Sequence, residues 1–219
     1  MTHGDPNIDG APHVAAHAPQ GGELVILGGG GHAAVIAEIA ARAGWRVVGT
    51  AAAAGSTLGD PEGDGEPAVR ALVAQGARLH AAVGSAEVRE RWHARYGAGL
   101  FAAVVDPSAL VSPSARVAAG ASIGAGAIVQ ARAVVGEGAI VNTRAVVEHD
   151  CILEPFAHAA PASVLCGSVR VGRGAQVSAG AVVNPARSVG ARSTVGAGAV
   201  VVRDVPEGAV VVGVPARPI

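Results

Sequence analysis

Cut into sixes from Leu110, residues 110–205 read LVSPSA, RVAAGA, SIGAGA, IVQARA, VVGEGA, IVNTRA, VVEHDC, ILEPFA, HAAPAS, VLCGSV, RVGRGA, QVSAGA, VVNPAR, SVGARS, TVGAGA and VVVRDV. The phase holds through sixteen units without an insertion. The second residue is Val, Ile or Leu in fifteen of them, with Ala159 the one departure, and the sixth is small in nearly all. A strand repeats every two residues and a helix every 3.6, so neither alone gives a period of six. A solenoid does: each hexad is a short strand plus a turn, and the aliphatic second residue points inward onto its equivalents in adjacent coils. The small sixth residue is read as the point where the chain bends.

Composition agrees. Half of the 219 residues are hydrophobic but only 2% are aromatic, and glycine is abundant at 32. Small branched side chains in regular layers, with repeated tight turns, fit those figures. The net charge of −1 and the absence of a Lys/Arg run exclude a nucleic-acid binder. Cys151 and Cys166 form neither a disulfide framework nor a Cys-x-x-Cys metal motif, and read as free thiols of a reducing cytoplasm. No apolar run reaches the ~18 residues of a membrane span.

Upstream, residues 1–22 are rich in Gly, Pro, Ala and His (His3, His13, His17) and read as a disordered leader without signal-peptide character. Leu24-Val25-Ile26-Leu27 reads as a buried parallel strand. Gly28-Gly-Gly-Gly31-His32 follows, then a helix over 33–43 closed by Gly44, and a second strand over 46–49. Helices over 66–75 and 86–96 flank a strand over 79–83. Residues 23–105 therefore form a small α/β, Rossmann-like subdomain, and 106–219 the solenoid. Gly28-x-Gly30-x-x-Ala33 meets a dinucleotide fingerprint formally. The acidic residue expected about 20 positions on is replaced by Gly49-Thr-Ala-Ala-Ala-Ala54, which argues against a nicotinamide cofactor. Glycines before a helix still let a phosphate approach backbone N–H groups.

Two hexads stand out. VVEHDC keeps its inward Val147 but places Glu148, His149 and Asp150 on the outside. HAAPAS carries the weakened inward Ala159 and starts with His158. A histidine beside a carboxylate suits proton removal from an attacking amine or hydroxyl near neutral pH. A turn N–H can serve the oxyanion that forms. His149 and His158 are nine residues apart, half of an eighteen-residue coil, so they cannot share one flat face of a single chain.

The hexads resemble those of the left-handed β-helix acyltransferases. The order strand, Gly-rich loop, His, helix, short α/β domain and uninterrupted hexads resembles the bacterial sugar acetyltransferases related to sialic acid O-acetyltransferase. That group includes N-acetyltransferases of nucleotide-linked amino-sugars. The resemblance runs from about residue 23 to the end, including Gly208-Ala-Val-Val-Val-Gly-Val-Pro-Ala-Arg217. It implies three hexads per coil, left-handedness, acetyl-CoA as co-substrate, no metal, and a homotrimer with active sites between subunits. Asn142-Thr-Arg-Ala-Val-Val-Glu-His149-Asp150-Cys151 resembles the catalytic segment, with His149 as base, Asp150 raising its proton affinity, and Asn142 near the substrate. By the same resemblance Gly30, Gly31, His32 and Gly84 touch the nucleotide-sugar, while His158, Gly167, Ala179 and Ala197 lie along acetyl-CoA. Ala52 and Ala53 depart from the family, which often has an acidic pair there; Asp60, Glu62 or Asp64 of the 55–65 loop could compensate.

Acetyl transfer to a hydroxyl is a second reading, since one base serves both nucleophiles. A three-histidine zinc hydratase is disfavoured, because residues 110–205 hold only His149 and His158. A non-catalytic scaffold leaves His149-Asp150 unexplained.

Overall fold

A computed structural model describes residues 21–219, so the expected leader with His3, His13 and His17 lies almost wholly outside the described residues. The chain enters on β1 (Gly22–Leu27), followed by α1 (Gly31–Arg42), β2 (Trp45–Ala51), α2 (Glu66–Ala74), β3 (Arg78–Ala81) and α3 (Ala86–Tyr96). The three strands form one parallel sheet in the order β2-β1-β3. Strand β1 is central, and Leu24, Val25, Ile26 and Leu27 are buried on both faces, which is why that run shows no alternation. Helix α1 begins two residues earlier than its apolar pattern indicates. Gly30 is its N-cap, and Gly44, at φ 91°, terminates it just beyond Ala43.

The solenoid starts one hexad before Leu110. From β4 (Val104–Val105) to β20 (Val200–Val201), a two-residue strand recurs every six residues. Strands eighteen residues apart pair in parallel, as Ile140–Val141 does with His158–Ala159. Three sheets result, and they close a left-handed triangular prism. Sheet I runs from Val104, sheet II from Leu110 and sheet III from Arg116. The C-terminal hairpin β21 (Val210–Val212) and β22 (Arg217–Pro218) extends sheet I. No helix of the described residues is long and apolar enough to cross a membrane.

The second residue of each hexad fills the prism, as expected. The sixth does not make the bend. Ala121, Ala127, Ala133, Ala139, Ala145 and Cys151 are completely buried, so this position is small because it points into the narrow corner of the core. The fifth residue turns the chain. It has positive φ in every hexad from Gly120 to Gly198, and in eight of these it is not glycine, Arg132, Asp150 and Phe156 among them. Left-handed backbone is uncommon for residues with a Cβ, and Asp accepts it more readily than most.

Ala159 is not a defect in the core. Its coil partners at the same level are Leu153 and Leu165, where the coils on either side carry valine at all three inward positions. Leu, Ala and Leu together carry as many side-chain carbons as three valines. All three are at most 1% exposed, so the volume lost on sheet I is supplied from sheets II and III.

The α/β subdomain lies against sheet I. Helix α1 contacts β4, and α3 packs on the corner between sheets III and I. His93 stacks on Phe101 at 3.7 Å and bonds through Nδ1 to Glu137 at 2.7 Å. The Arg173 guanidinium covers Phe156 and is paired with Glu90 of α3.

Candidate active site

The expected residues fall into two groups on one chain. His149, Asp150 and Gly167 share the corner between sheets II and III. Asn142, His158 and His32 gather where sheet I meets the α/β subdomain. Ala179 and Ala197 lie one coil apart on the corner between sheets I and II, joined through the bond from Gly198 N–H to Ala179 O (2.9 Å). The two strands of residues on sheet II's flanks are thus separated by the width of that sheet.

At the first corner, His149 Nδ1 donates to Asp150 Oδ2 at 2.7 Å, and the imidazole is about half exposed. A carboxylate only accepts, so the proton sits on Nδ1 and Nε2 presents its lone pair outward. Asp150 also takes two parallel bonds from Arg132, at 2.6 Å from Nε and 2.9 Å from Nη2. Arg132 first, then His149, holds the Asp150 carboxyl well below the usual carboxylate range. Gly167 lies one coil onward. A Cβ placed there would be 2.6 Å from both Cε1 and Nε2 of His149, so this glycine leaves room for the ring. The Gly167 N–H has no acceptor among the described residues.

At the second group, Thr143 N–H donates to Asn142 Oδ1 (2.7 Å), which fixes the amide so that Nδ2 donates to His158 Nε2 (3.2 Å). His158 must then carry its proton on Nδ1, and that buried atom has no partner in the structure. Burial first, then the nearby charges of Arg89 and His32, push His158 down to about 3, so it is neutral in the working range. His32 is lowered for the same kind of reason, burial and then Arg89, and its Nε2 is also buried without a partner. The structure thus presents two unsatisfied ring nitrogens in one recess. Gly30 and Gly31, opening α1, have nothing within 4 Å of a Cβ position, which leaves their backbone approachable.

Arg89 was not legible as a site residue, because α3 looks like an ordinary charged helix in sequence. Its guanidinium is 1% exposed and finds four carbonyls: Gly138 (2.9 Å), Phe156 (2.5 Å), Val83 (3.0 Å) and Gly84 (2.6 Å). It ties the Val83–Gly84 turn to two successive solenoid coils, and so sets Gly84 relative to His158. Burial lowers its own proton affinity to about 10, and it stays charged. Arg132 was missed too. It becomes visible only when the hexads are stacked eighteen residues apart, which places it over Asp150.

The acidic residues of the 55–65 loop are already engaged. Asp60 accepts from Glu62 N–H, Asp64 accepts from Asp60 N–H, and Glu62 pairs with Arg91. No group of three or more His, Cys, Asp or Glu among the described residues is placed to hold a metal ion. A hollow of about 420 Å³ between Glu90, His93, Glu137, Phe156 and Arg173 holds none of the expected site residues.

A prism of hexads carrying a His–Asp pair at one corner, with an α/β subdomain on one sheet, defines a hexapeptide-repeat acyltransferase. Residues 23–96 match the family described as the PglD N-terminal domain. A comparison with curated protein sequences finds no match. Among solved structures, perosamine N-acetyltransferase PerB from Caulobacter crescentus, in complex with CoA and GDP-perosamine, is 39% identical with a TM-score of 0.83, over 90% of this chain and 97% of that one. A histidine-to-alanine variant of the GDP-perosamine N-acetyltransferase from the same organism, with the same two ligands, matches at 38% identity and TM-score 0.84, with the same coverage. The acetyltransferase domain of PglB from Neisseria gonorrhoeae, in complex with acetyl-coenzyme A, is 33% identical with a TM-score of 0.80, over 90% of this chain and 98% of that one. The chain belongs to this family of hexapeptide-repeat nucleotide-amino-sugar N-acetyltransferases.

Proposed function

We propose that the protein transfers the acetyl group of acetyl-CoA to the amine of a nucleotide-linked amino-sugar, with His149 as general base. The observation that carries this reading is the His149–Asp150 pair, with its bare Nε2 against Gly167, whose N–H is unengaged. The amine loses its proton to Nε2 as it attacks the thioester carbonyl. Asp150 stabilises the imidazolium that forms, and Gly167 N–H stabilises the oxyanion. The tetrahedral intermediate then collapses: the C–S bond breaks, the carbonyl re-forms as the amide, and coenzyme A leaves as the thiolate that takes up the proton from His149. His158, through Nδ1–H, is a donor awaiting an acceptor on acetyl-CoA, and Ala179 and Ala197 line the path of that ligand. The recess formed by Gly30, Gly31, His32, Gly84 and Asn142 takes the nucleotide-sugar.

In this reading the active site is shared between subunits of a homotrimer. The outward residues of sheet II are Leu110, Ile128, Val146, Val164, Val182 and Val200, an unbroken aliphatic ladder, with a hollow of about 430 Å³ at the Leu110 end. The same row on sheet III reads Arg116, Val134, Ile152, Arg170 and Ser188, so its aliphatic stretch is broken at both ends. Burying sheet II against copies of itself would set the His149 corner of one subunit beside the His158 and Ala179 side of the next. A cytoplasmic location belongs to the same reading, in keeping with the free thiols Cys151 and Cys166.

Thiol release from acetyl-CoA is measured with GDP-, UDP- and dTDP-linked amino-sugars. Turnover on at least one is expected, and His149→Ala lowers it by about 10²–10⁴. Turnover only on a free sugar or a hydroxyl acceptor would overturn the substrate class. Light scattering is expected to give three times the chain mass, and a monomer would remove the shared site.

A further inference from the structure

The corner that holds His149 is built as a ladder. Arg132 N–H donates to Ser114 Oγ at 3.1 Å, one coil earlier. The Arg132 side chain then reaches one coil forward and grips both oxygens of Asp150, and Asp150 Oδ2 accepts the His149 Nδ1 proton. Arg132 and Asp150 both occupy left-handed backbone, at φ 59° and 60°. That conformation costs energy for a residue with a Cβ, and at six of the equivalent corners, from Gly120 to Gly198, glycine fills it.

We propose that Arg132 is a positioning residue for proton transfer: its two-pronged grip on Asp150 fixes the carboxylate, and through it holds the His149 ring with Nε2 toward the substrate. The reasoning has two parts. His149 is half exposed and its ring has no other bonded partner, so its orientation depends on where Asp150 Oδ2 sits. A lone carboxylate at a corner can swing about its side-chain torsions, whereas a planar guanidinium on both oxygens holds the carboxylate plane. The second part is charge. Arg132 offsets Asp150, so the imidazolium formed in the reaction meets a compensated carboxylate and can release its proton after each turnover. The remaining ionisable side chains on the adjoining turns are Glu148 and the buried Cys151 on the same hexad and Cys166 on the next coil. Arg132 itself is about two-thirds exposed. An exposed pair of this kind contributes little to folding, so the variant should fold.

This inference rests on the transferase reading. The test compares Arg132→Gln, Arg132→Lys and His149→Ala in the full-length protein by two readouts. The first is kcat and KM with acetyl-CoA and GDP-perosamine. The second is the pH titration of the His149 ring Cε1–H by NMR, assigned by its loss in His149→Ala, which needs no substrate. Arg132→Gln is expected to lower kcat about 10-fold with KM for acetyl-CoA unchanged, because the ring is no longer held in the reactive geometry. It is also expected to raise the NMR midpoint by about half a unit, because the carboxylate charge is uncovered. Arg132→Lys restores the midpoint, since the charge returns, but not kcat, since the fork does not. A midpoint that stays at the wild-type value in Arg132→Gln, or a kcat within two-fold of wild type, overturns the role of Arg132. No turnover by the wild-type protein would instead sink the transferase reading itself, and wild-type turnover in His149→Ala would remove His149 as the base; in the first case the titration would still decide whether Arg132 acts on His149.

Discussion

Gly167→Ala separates stability from catalysis at a single atom. The new Cβ would sit 2.6 Å from Cε1 and Nε2 of His149, about 1 Å inside ordinary van der Waals contact. The atoms it meets are the far end of an exposed side chain, so the ring can swing away without disturbing the coil. Gly167 is not among the residues with positive φ, so its backbone accepts alanine. The expected cost in stability is about 0.5 kcal/mol or less, within the range of ordinary surface substitutions. The cost in rate is much larger, because a displacement of about 1 Å of a reacting group can lower the rate about 10²-fold. The assay is kcat/KM by thiol release, with Tm measured alongside and Gly99→Ala as control, since nothing lies within 4 Å of a Cβ there. A Gly167→Ala enzyme within three-fold of wild-type kcat/KM would refute the placement of His149 as base. A fall in Tm matching the fall in rate would refute the argument that the ring alone moves.

Ala159→Val should overpack its coil and destabilise by about 1–3 kcal/mol, while the triple change with Leu153→Val and Leu165→Val should return to within about 1 kcal/mol of wild type; urea unfolding reads both, and additive effects would refute volume exchange. Arg89→Met leaves four buried carbonyls without their donor and should cost about 3 kcal/mol or more, seen as a lowered Tm with loss of sugar-side affinity. His158 and His80 are held by burial at about 3 and about 4, below their ordinary 6.5. Their neutral forms therefore stabilise the fold fully above pH 6.5, and this contribution is lost as pH falls through the window from 6.5 toward those values. At pH 5 each should cost about 2 kcal/mol. His158→Asn should flatten the fall of Tm between pH 6.5 and 4.5, and an unchanged slope would count against a neutral, buried His158.

The solenoid was legible because its constraint is repeated: an aliphatic residue every six positions leaves one arrangement that buries them all. The Gly-rich loop and the helix after it were legible for the same local reasons of run length and punctuation. Two kinds of information were not. The turn position was assigned to the small sixth residue, because smallness has two causes, a tight bend and a tight core, and sequence does not tell them apart; Cys151 and Val169 at that position already pointed to the core. Arg132 and Arg89 depend on contacts eighteen residues and a domain apart, and no local pattern announces them. The deviation at Ala159 was visible but its meaning was not, since the compensating leucines belong to neighbouring hexads.

The uninterrupted phase of the prism makes position along it discrete. Removing six residues anywhere between 152 and 178 would rotate everything downstream by a third of a turn, and carry Ala179 and Ala197 to another edge. Adding eighteen between 160 and 178 would leave every edge aligned and move them one rung, about 4.8 Å, further from His158. The protein thus contains its own ruler. Whole-coil insertions would lengthen the cleft in equal steps without turning it, so that the reach required of an acyl donor becomes a quantity that can be dialled in and measured.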